Sequence, residues 1–331
     1  MLKYIARRVL LMIPTLFLVS VISFVIIQLP PGDYLTSVVA AMATTGDIMT
    51  QDRLDTLKAE YGLDQPVYVQ YGKWMWNIVS RGHFGWSWHW NRPVTEMIAD
   101  RLAITVILSL VTMVFTWVVA LPIGVYSATH QYSKLDYLFT SISFVGLATP
   151  GFLLALVLIW ISVAYFSQNV AGLFSPEFVD APWSMARIVD MLKHIWVPVV
   201  ILGTSGTAGL IRTMRGNLLD ELHKPYVTTA RAKGLEERRL LWKYPVRVAV
   251  NPFVSTIGWS LAGLFSGSTI VAVVLGLPTV GPLLLTALLA QDMYMAGSIL
   301  FIISFLTVIG TLISDILLAW VDPRIRLEGE R

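Results

Sequence analysis

The sequence predicts an all-α, polytopic membrane protein with six transmembrane helices. Three observations carry that expectation. The 331 residues are 56% hydrophobic and only 14% charged. Apolar runs recur at about the 20 residues needed to cross a bilayer, with Gly and Pro scattered inside them. Lys and Arg are distributed unevenly between the segments that separate those runs.

Taken in order, the runs are 9–29, 103–126, 137–166, 195–216, 251–276 and 293–320. The first follows Lys3, Arg7 and Arg8, as a secretory signal would. A cleaved signal has a shorter apolar core and a small-x-small site, whereas this run ends in "QLPPGD", so it reads as a retained spanning helix. A 73-residue segment, 30–102, then lies outside the membrane on the extracytoplasmic side. Residues 103–320 form a core of five further spans with a loop at 217–250, and 321–331 form a cytoplasmic tail. With the N terminus inside, segments 1–8, 127–136, 212–250 and 321–331 hold 16 of the 24 Lys and Arg and 8 acids, against 8 basic and 12 acidic residues outside. That is the positive-inside bias.

Within the spans, Pro14, Pro122, Pro150 and Pro198 are expected to kink helices. The stretches "GTSGTAG" (203–209) and "GLFSG" (263–267) offer small faces for close helix packing. Asp315 is the one acid well inside a span. Its place near the cytoplasmic end, beside Ser314 and four residues after Thr311, favours a locally hydrogen-bonded structural role over a proton relay.

No cysteine is present, which excludes disulfides, iron–sulfur clusters and thiolate metal sites. The histidines at 83, 89, 130, 194 and 223 are dispersed, so no metal is expected. A net charge of +3 is weak ground for a nucleic-acid partner, and none is expected. The one Gly-Lys pair, Gly72-Lys73, is followed by Trp74, so there is no phosphate-binding loop. No nucleophile and base pair is recognisable either, and the chain is not expected to be an enzyme.

Two stretches point to function. In the outer segment Phe84, Trp86, Trp88 and Trp90 alternate with Gly85, Ser87, His89 and Asn91. An extended strand would put the four rings on one face, as an interfacial belt, a small core or a surface that stacks on a ligand or partner. The second stretch is "YVTTARAKGLEERRLLWKYP", residues 226–245. Pro225 suits the first turn of a helix and Gly234 its left-handed C-terminal position. Glu236 and Glu237 then open a second helix that Lys243 closes, each favourable against the helix dipole. The first helix carries small residues at Thr228, Thr229, Ala230 and Ala232. Ala230 is expected to sit against another protein.

"YVTTARAKGL" resembles the coupling loop of binding-protein-dependent ABC transporter permeases of the dipeptide/oligopeptide/nickel class, and the chain looks like the first of its two permease subunits. The blocks "RRVLLMIPTLFLVSVISFVIIQLPPGD", "YGLDQPVYVQY", "RPVTEMIADRLAITVILSL", "GLATPGFLLALVLI", "IRTMRGNLLDELHKPYVTTARAKGL" and "DPRIR" carry the resemblance along nearly the whole chain. It implies the type I ABC importer permease fold and alternating access. It implies as partners a second homologous permease, two ABC ATPase subunits that bind the ATP and Mg, and an extracytoplasmic solute-binding protein. It makes Pro225, Tyr226, Thr229, Ala230, Arg231, Ala232, Lys233, Gly234 and Leu235 the ATPase-coupling element. Phe84, Trp86, Trp88, Trp90, Pro150, Pro278, Gly281 and Asp292 become candidate contacts with the pathway or the binding protein.

This sequence departs from the wider pattern at Thr228, Thr229 and Ala230, where Glu-Ala-Ala is usual. It departs from peptide-type members at Ala272, Leu275, Thr279 and Gln291. Loss of charge at 272 and 291, with the tryptophan-rich stretch, sets an expectation of an oligosaccharide over a peptide, opine or nickel complex. The reading from a different class is an ion-coupled secondary transporter or channel.

Overall fold

A computed structural model describes residues 2–28, 65–87, 89–166, 170–179, 181–257 and 269–321. Nearly all of it is helical. Helix α1 is Leu2–Gln28, and α2, Val67–Arg81, ends on Gly82 in the left-handed region (φ 63°). A two-residue antiparallel ladder, β1 (Trp86–Ser87) with β2 (Arg92–Pro93), pairs Trp86 with Pro93 and Ser87 with Arg92. It leads into α3, Val94–Thr129.

Helices α4 (Lys134–Ala148) and α5 (Gly151–Phe166) follow, then a single 3-10 turn, Pro176–Phe178, α6 (Met185–His194) and α7 (Trp196–Leu222). Three short helices come next, α8 (Pro225–Ala232), α9 (Glu237–Lys243) and α10 (Pro245–Ala249), with residues 251–257 also helical. The chain closes with α11 (Thr269–Val274), α12 (Val280–Leu289) and α13 (Met293–Val321).

Among the described residues four helices are long and apolar enough to cross a membrane, within α1, α3, α7 and α13. The expected third span is not one straight helix. It is α4 and α5, bent by 102°. Pro150 explains the break: it lacks an N–H and forces the residue before it out of the helical region, and Thr149 is extended (φ −86°, ψ 118°). Counting that pair as one span gives five. The expected fifth run, 251–276, lies partly outside the described residues, and Trp88, "GLFSG", residues 30–64 of segment 30–102 and the tail after Val321 lie outside them. Pro14 and Pro122 lie inside α1 and α3. Pro198 sits in the first turn of α7, where its missing N–H would be unpaired anyway.

The chain divides into two compact units. The first comprises Met1–Arg8, Val106–Pro278 and Ile309–Arg331. Its core joins Ala120, Val125 and Ala128 of α3, Ile211, Met214 and Leu218 of α7, and Val246, Ala249 and Phe253. The "GTSGTAG" face does what small residues permit: a Cβ on Gly203 would lie 2.7 Å from a ring carbon of Phe115, so α7 and α3 approach closely there. Arg215 of α7 makes a bidentate pair with the buried Asp136 of α4, both bonds 2.9 Å. Asp315 has a partner distant in sequence. It pairs with Arg8 Nη1 at 3.2 Å, while its neighbour Ser314 donates to the Val254 carbonyl at 2.8 Å.

The second unit comprises Val9–Thr105 and Thr279–Val308. Its core is aromatic, with Phe24, Trp74 and Tyr294 buried together and Phe301 edge-on to Trp74.

Candidate functional site

The hairpin begins where α7 runs out at Leu222 and Lys224 turns the chain. Pro225 occupies the first turn of α8 as its chemistry suggests. At the other end the Gly234 N–H donates to the Arg231 carbonyl (3.0 Å) and the Leu235 N–H to the Ala230 carbonyl (3.4 Å). With Gly234 at φ 76°, those two bonds make a Schellman C-cap, and Leu235 supplies the apolar contact that accompanies it. No atom lies within 4 Å of where a Gly234 Cβ would be, so the glycine is required by backbone conformation and not by space.

Val227, Ala230 and Leu240 are buried against one another, with Leu235 and Tyr244 packed alongside. Ala230 therefore faces α9 and not outward, which corrects the expectation that it meets another protein. The pattern of helical turns explains this. Val227 and Ala230 are three apart on the inner side of α8, leaving Thr228, Thr229, Arg231, Ala232 and Lys233 exposed. The Thr229 hydroxyl is turned back onto the Pro225 carbonyl (2.9 Å). Tyr226 donates to Glu221. Arg231 bridges the turn to Glu237 in a two-bond ion pair, and that donation holds the Glu237 carboxyl below its ordinary range. The hairpin then passes through Pro245 into α10, whose Val246 and Ala249 pack with α7. Both ends of the hairpin are thus anchored on one helix.

The outer stretch is arranged differently from its expected form. The ladder stops at Ser87, and residues 89–91 turn, with Asn91 at φ 50°. Phe84, Trp86 and Trp90 therefore do not share one extended face; the buried positions are the small ones, Gly85 and Ser87. A Cβ on Gly85 (φ 113°) would stand 2.8 Å from Tyr294 Cδ1. Asp292, just before α13, fastens this turn. Its carboxylate accepts from the Ser87 hydroxyl, from the His89 N–H (3.3 Å) and, as a helix cap, from the Met295 N–H (3.2 Å). Burial pushes the Asp292 carboxyl up in spite of those donors. Ser298 adds a bond to the Phe84 carbonyl at 3.0 Å.

Of the other predicted positions, Pro150 marks the α4–α5 bend, Pro278 the link between α11 and α12, and Gly281 a buried place in the first turn of α12. Asp136, Arg215, Arg8 and Ser87 were missed as paired residues. Their partners are distant in sequence, and no local spacing signals them.

Four described helices long and apolar enough to cross a membrane, with a capped, charged hairpin following α7, are the features of a polytopic membrane protein. A family described as "Binding-protein-dependent transport system inner membrane component" matches residues 120–327, and its N-terminal companion matches residues 1–109. The chain is 38% identical over 326 residues to the oligopeptide transport system permease protein AppB of Bacillus subtilis, covering 98% of this chain and 99% of that one. It is 32% identical to the oligopeptide transport system permease protein OppB of Haemophilus influenzae, covering 98% and 100%. It is 29% identical to the peptidoglycan transport system permease protein YejB of Agrobacterium fabrum, covering 98% of each. The chain belongs to the binding-protein-dependent ABC importer permeases, of the peptide class. Membership makes it a multi-pass transport subunit that works with ATPase and solute-binding partners.

Proposed function

We propose that this chain forms half of the translocation pathway of an oligopeptide importer, paired with a second homologous permease. The hairpin 225–244 is the coupling element. Partner subunits bind ATP and Mg and hydrolyse the ATP, and the hairpin carries their movement inward. The observation that carries this reading is its construction: a self-packed, Schellman-capped peg continuous with α7 and anchored again on α7 through α10. A push on such a peg moves a helix instead of deforming a loop. The exposed Thr228, Arg231, Ala232 and Lys233 are its proposed contact face, and the basic-residue bias supports a cytoplasmic side for it and for both termini.

The solute reading rests on the relatives, two of which are named for oligopeptides. The expectation of a sugar rests on an aromatic face that the turn at 89–91 interrupts, on Ala272, which is buried within α11, and on Gln291, which is exposed just before Asp292. Reconstitution with the second permease, the ATPases and the binding protein tests both parts. ATP-dependent accumulation of labelled oligopeptides is expected. Uptake of oligosaccharides alone, or uptake driven by an ion gradient without ATP, refutes it. Because the chain lacks cysteine, single cysteines at 231 and 177 probed with an impermeant reagent test the orientation, with labelling from outside expected at 177 only.

A further inference from the structure

Helix α6 has its polarity reversed. In a water-facing amphipathic helix the apolar side packs inward and the charged side faces solvent. Here the polar side is turned into the protein. Asp190, 8% exposed, accepts from both the N–H and the hydroxyl of Ser175, each at 2.7 Å. Arg187 donates to the carbonyls of Ala181 and Val179, and its guanidinium lies 4.6 Å and 4.8 Å from the ring centres of Phe174 and Trp183. The opposite side carries Met185, Ile188, Val189 and Leu192, between 37% and 78% exposed, and the stripe continues onto Trp196 at 60%. These positions follow the i, i+3, i+4, i+7 spacing of a single helix face.

Its location says what covers that face. One residue, Ile195, separates α6 from α7, which is long and apolar enough to cross a membrane. At the other end of the connection α5 closes on exposed Tyr165 and Phe166. Aromatic residues at the ends of apolar helices mark the level of the bilayer interface. Lys193, exposed beside the stripe, is placed to reach headgroup phosphates while its stem stays on apolar surface.

We propose that α6 is a lipid-binding interfacial helix, with Met185, Ile188, Val189 and Leu192 seated in the headgroup–acyl boundary beside the entry of α7. The Ser175–Asp190 bonds and the Arg187 contacts hold Phe174, Ser175, Val179, Ala181 and Trp183 over its back.

The test uses the assembled importer in vesicles of phosphatidylethanolamine and phosphatidylglycerol. Spin labels are placed through Val189→Cys and Leu192→Cys, with Glu177→Cys on the exposed 3-10 turn as reference. Relaxation by oxygen relative to a water-soluble nickel chelate is expected to be several-fold higher at 189 and 192 than at 177. Equal ratios at all three positions would mean that the stripe faces water. Suppression of both relaxants at 189 and 192 would mean that a protein covers it. Either result overturns the proposal.

Discussion

The hairpin at 225–244 and the turn at 84–93 are both short excursions built around a glycine with positive φ, yet they are held by opposite means. The hairpin is closed on itself. Its cap bonds, its Val227–Ala230–Leu240 core and its Arg231–Glu237 pair all join residues close in sequence. The turn has a two-residue ladder of its own, but it is fastened by residues some two hundred positions away: Asp292, Tyr294 and Ser298. The lesson is that a self-closed element moves as one body, whereas a fastened one keeps its shape only while its anchor holds.

Removing the anchor has the largest expected effect. Asp292→Ala takes the acceptor from the Ser87 hydroxyl and from two N–H groups, leaving buried donors unpaired at roughly 3 kcal/mol in all. Thermal unfolding and proteolysis within 84–93 should both register it. Asp292→Asn should be much milder, because the amide oxygen still accepts and burial favours a neutral group. Wild-type behaviour of the alanine variant would show that the turn holds itself. Next comes Gly85→Ala, which adds a steric contact with Tyr294 to an unfavourable φ and should cost about 2 kcal/mol by the same assays. Gly234→Ala meets open space and carries only the left-handed penalty of about 1 kcal/mol, visible as faster amide exchange confined to the hairpin. An equal loss from the two glycine variants would erase the contrast.

The smallest effect belongs to the exposed pair. Arg231 holds the Glu237 carboxyl below its ordinary value, so whatever the pair contributes is fully present above the usual Glu range near pH 4 and is lost only as pH falls through the depressed value. Arg231→Gln should leave hairpin exchange unchanged at neutral pH, where solvent screens the pair. A marked acceleration there would make the pair structural.

The same contrast explains what could be read from sequence. Pro225, Gly234, Glu237 and Lys243 act on neighbours within a few residues, so the helix–turn–helix was legible and the cap is where it was expected. Orientation of Ala230 was missed because its partner, Leu240, belongs to the other helix. In the turn, alternation of aromatic and small residues suggested a strand, but the buried anchor bonds Ser87 and the chain turns at Asn91, which local pattern does not encode. Asp315 was recognised as unusual for its setting, yet its partner Arg8 comes from the far end of the chain. The four long apolar helices followed from composition alone; the break at Pro150 was legible as a kink, though its size was not.

That break bears on how the protein is made. Helices α4 and α5 have 15 and 16 residues, so each is about 23 Å long, short of the roughly 30 Å hydrocarbon layer. Together they emerge from the ribosome as one apolar stretch, and membrane insertion precedes helix packing. What holds α4 in its final place lies on α7: Thr204, against which Gly146 fits closely, and Arg215, which takes Asp136. Translation delivers α7 only after α4 and α5 are complete, so Pro150 can break the stretch at once, while the contacts that fix α4 against α7 come later. A chain truncated before Arg215 would hold an α4 that is broken from α5 at Pro150 but leaves Asp136 without its guanidinium.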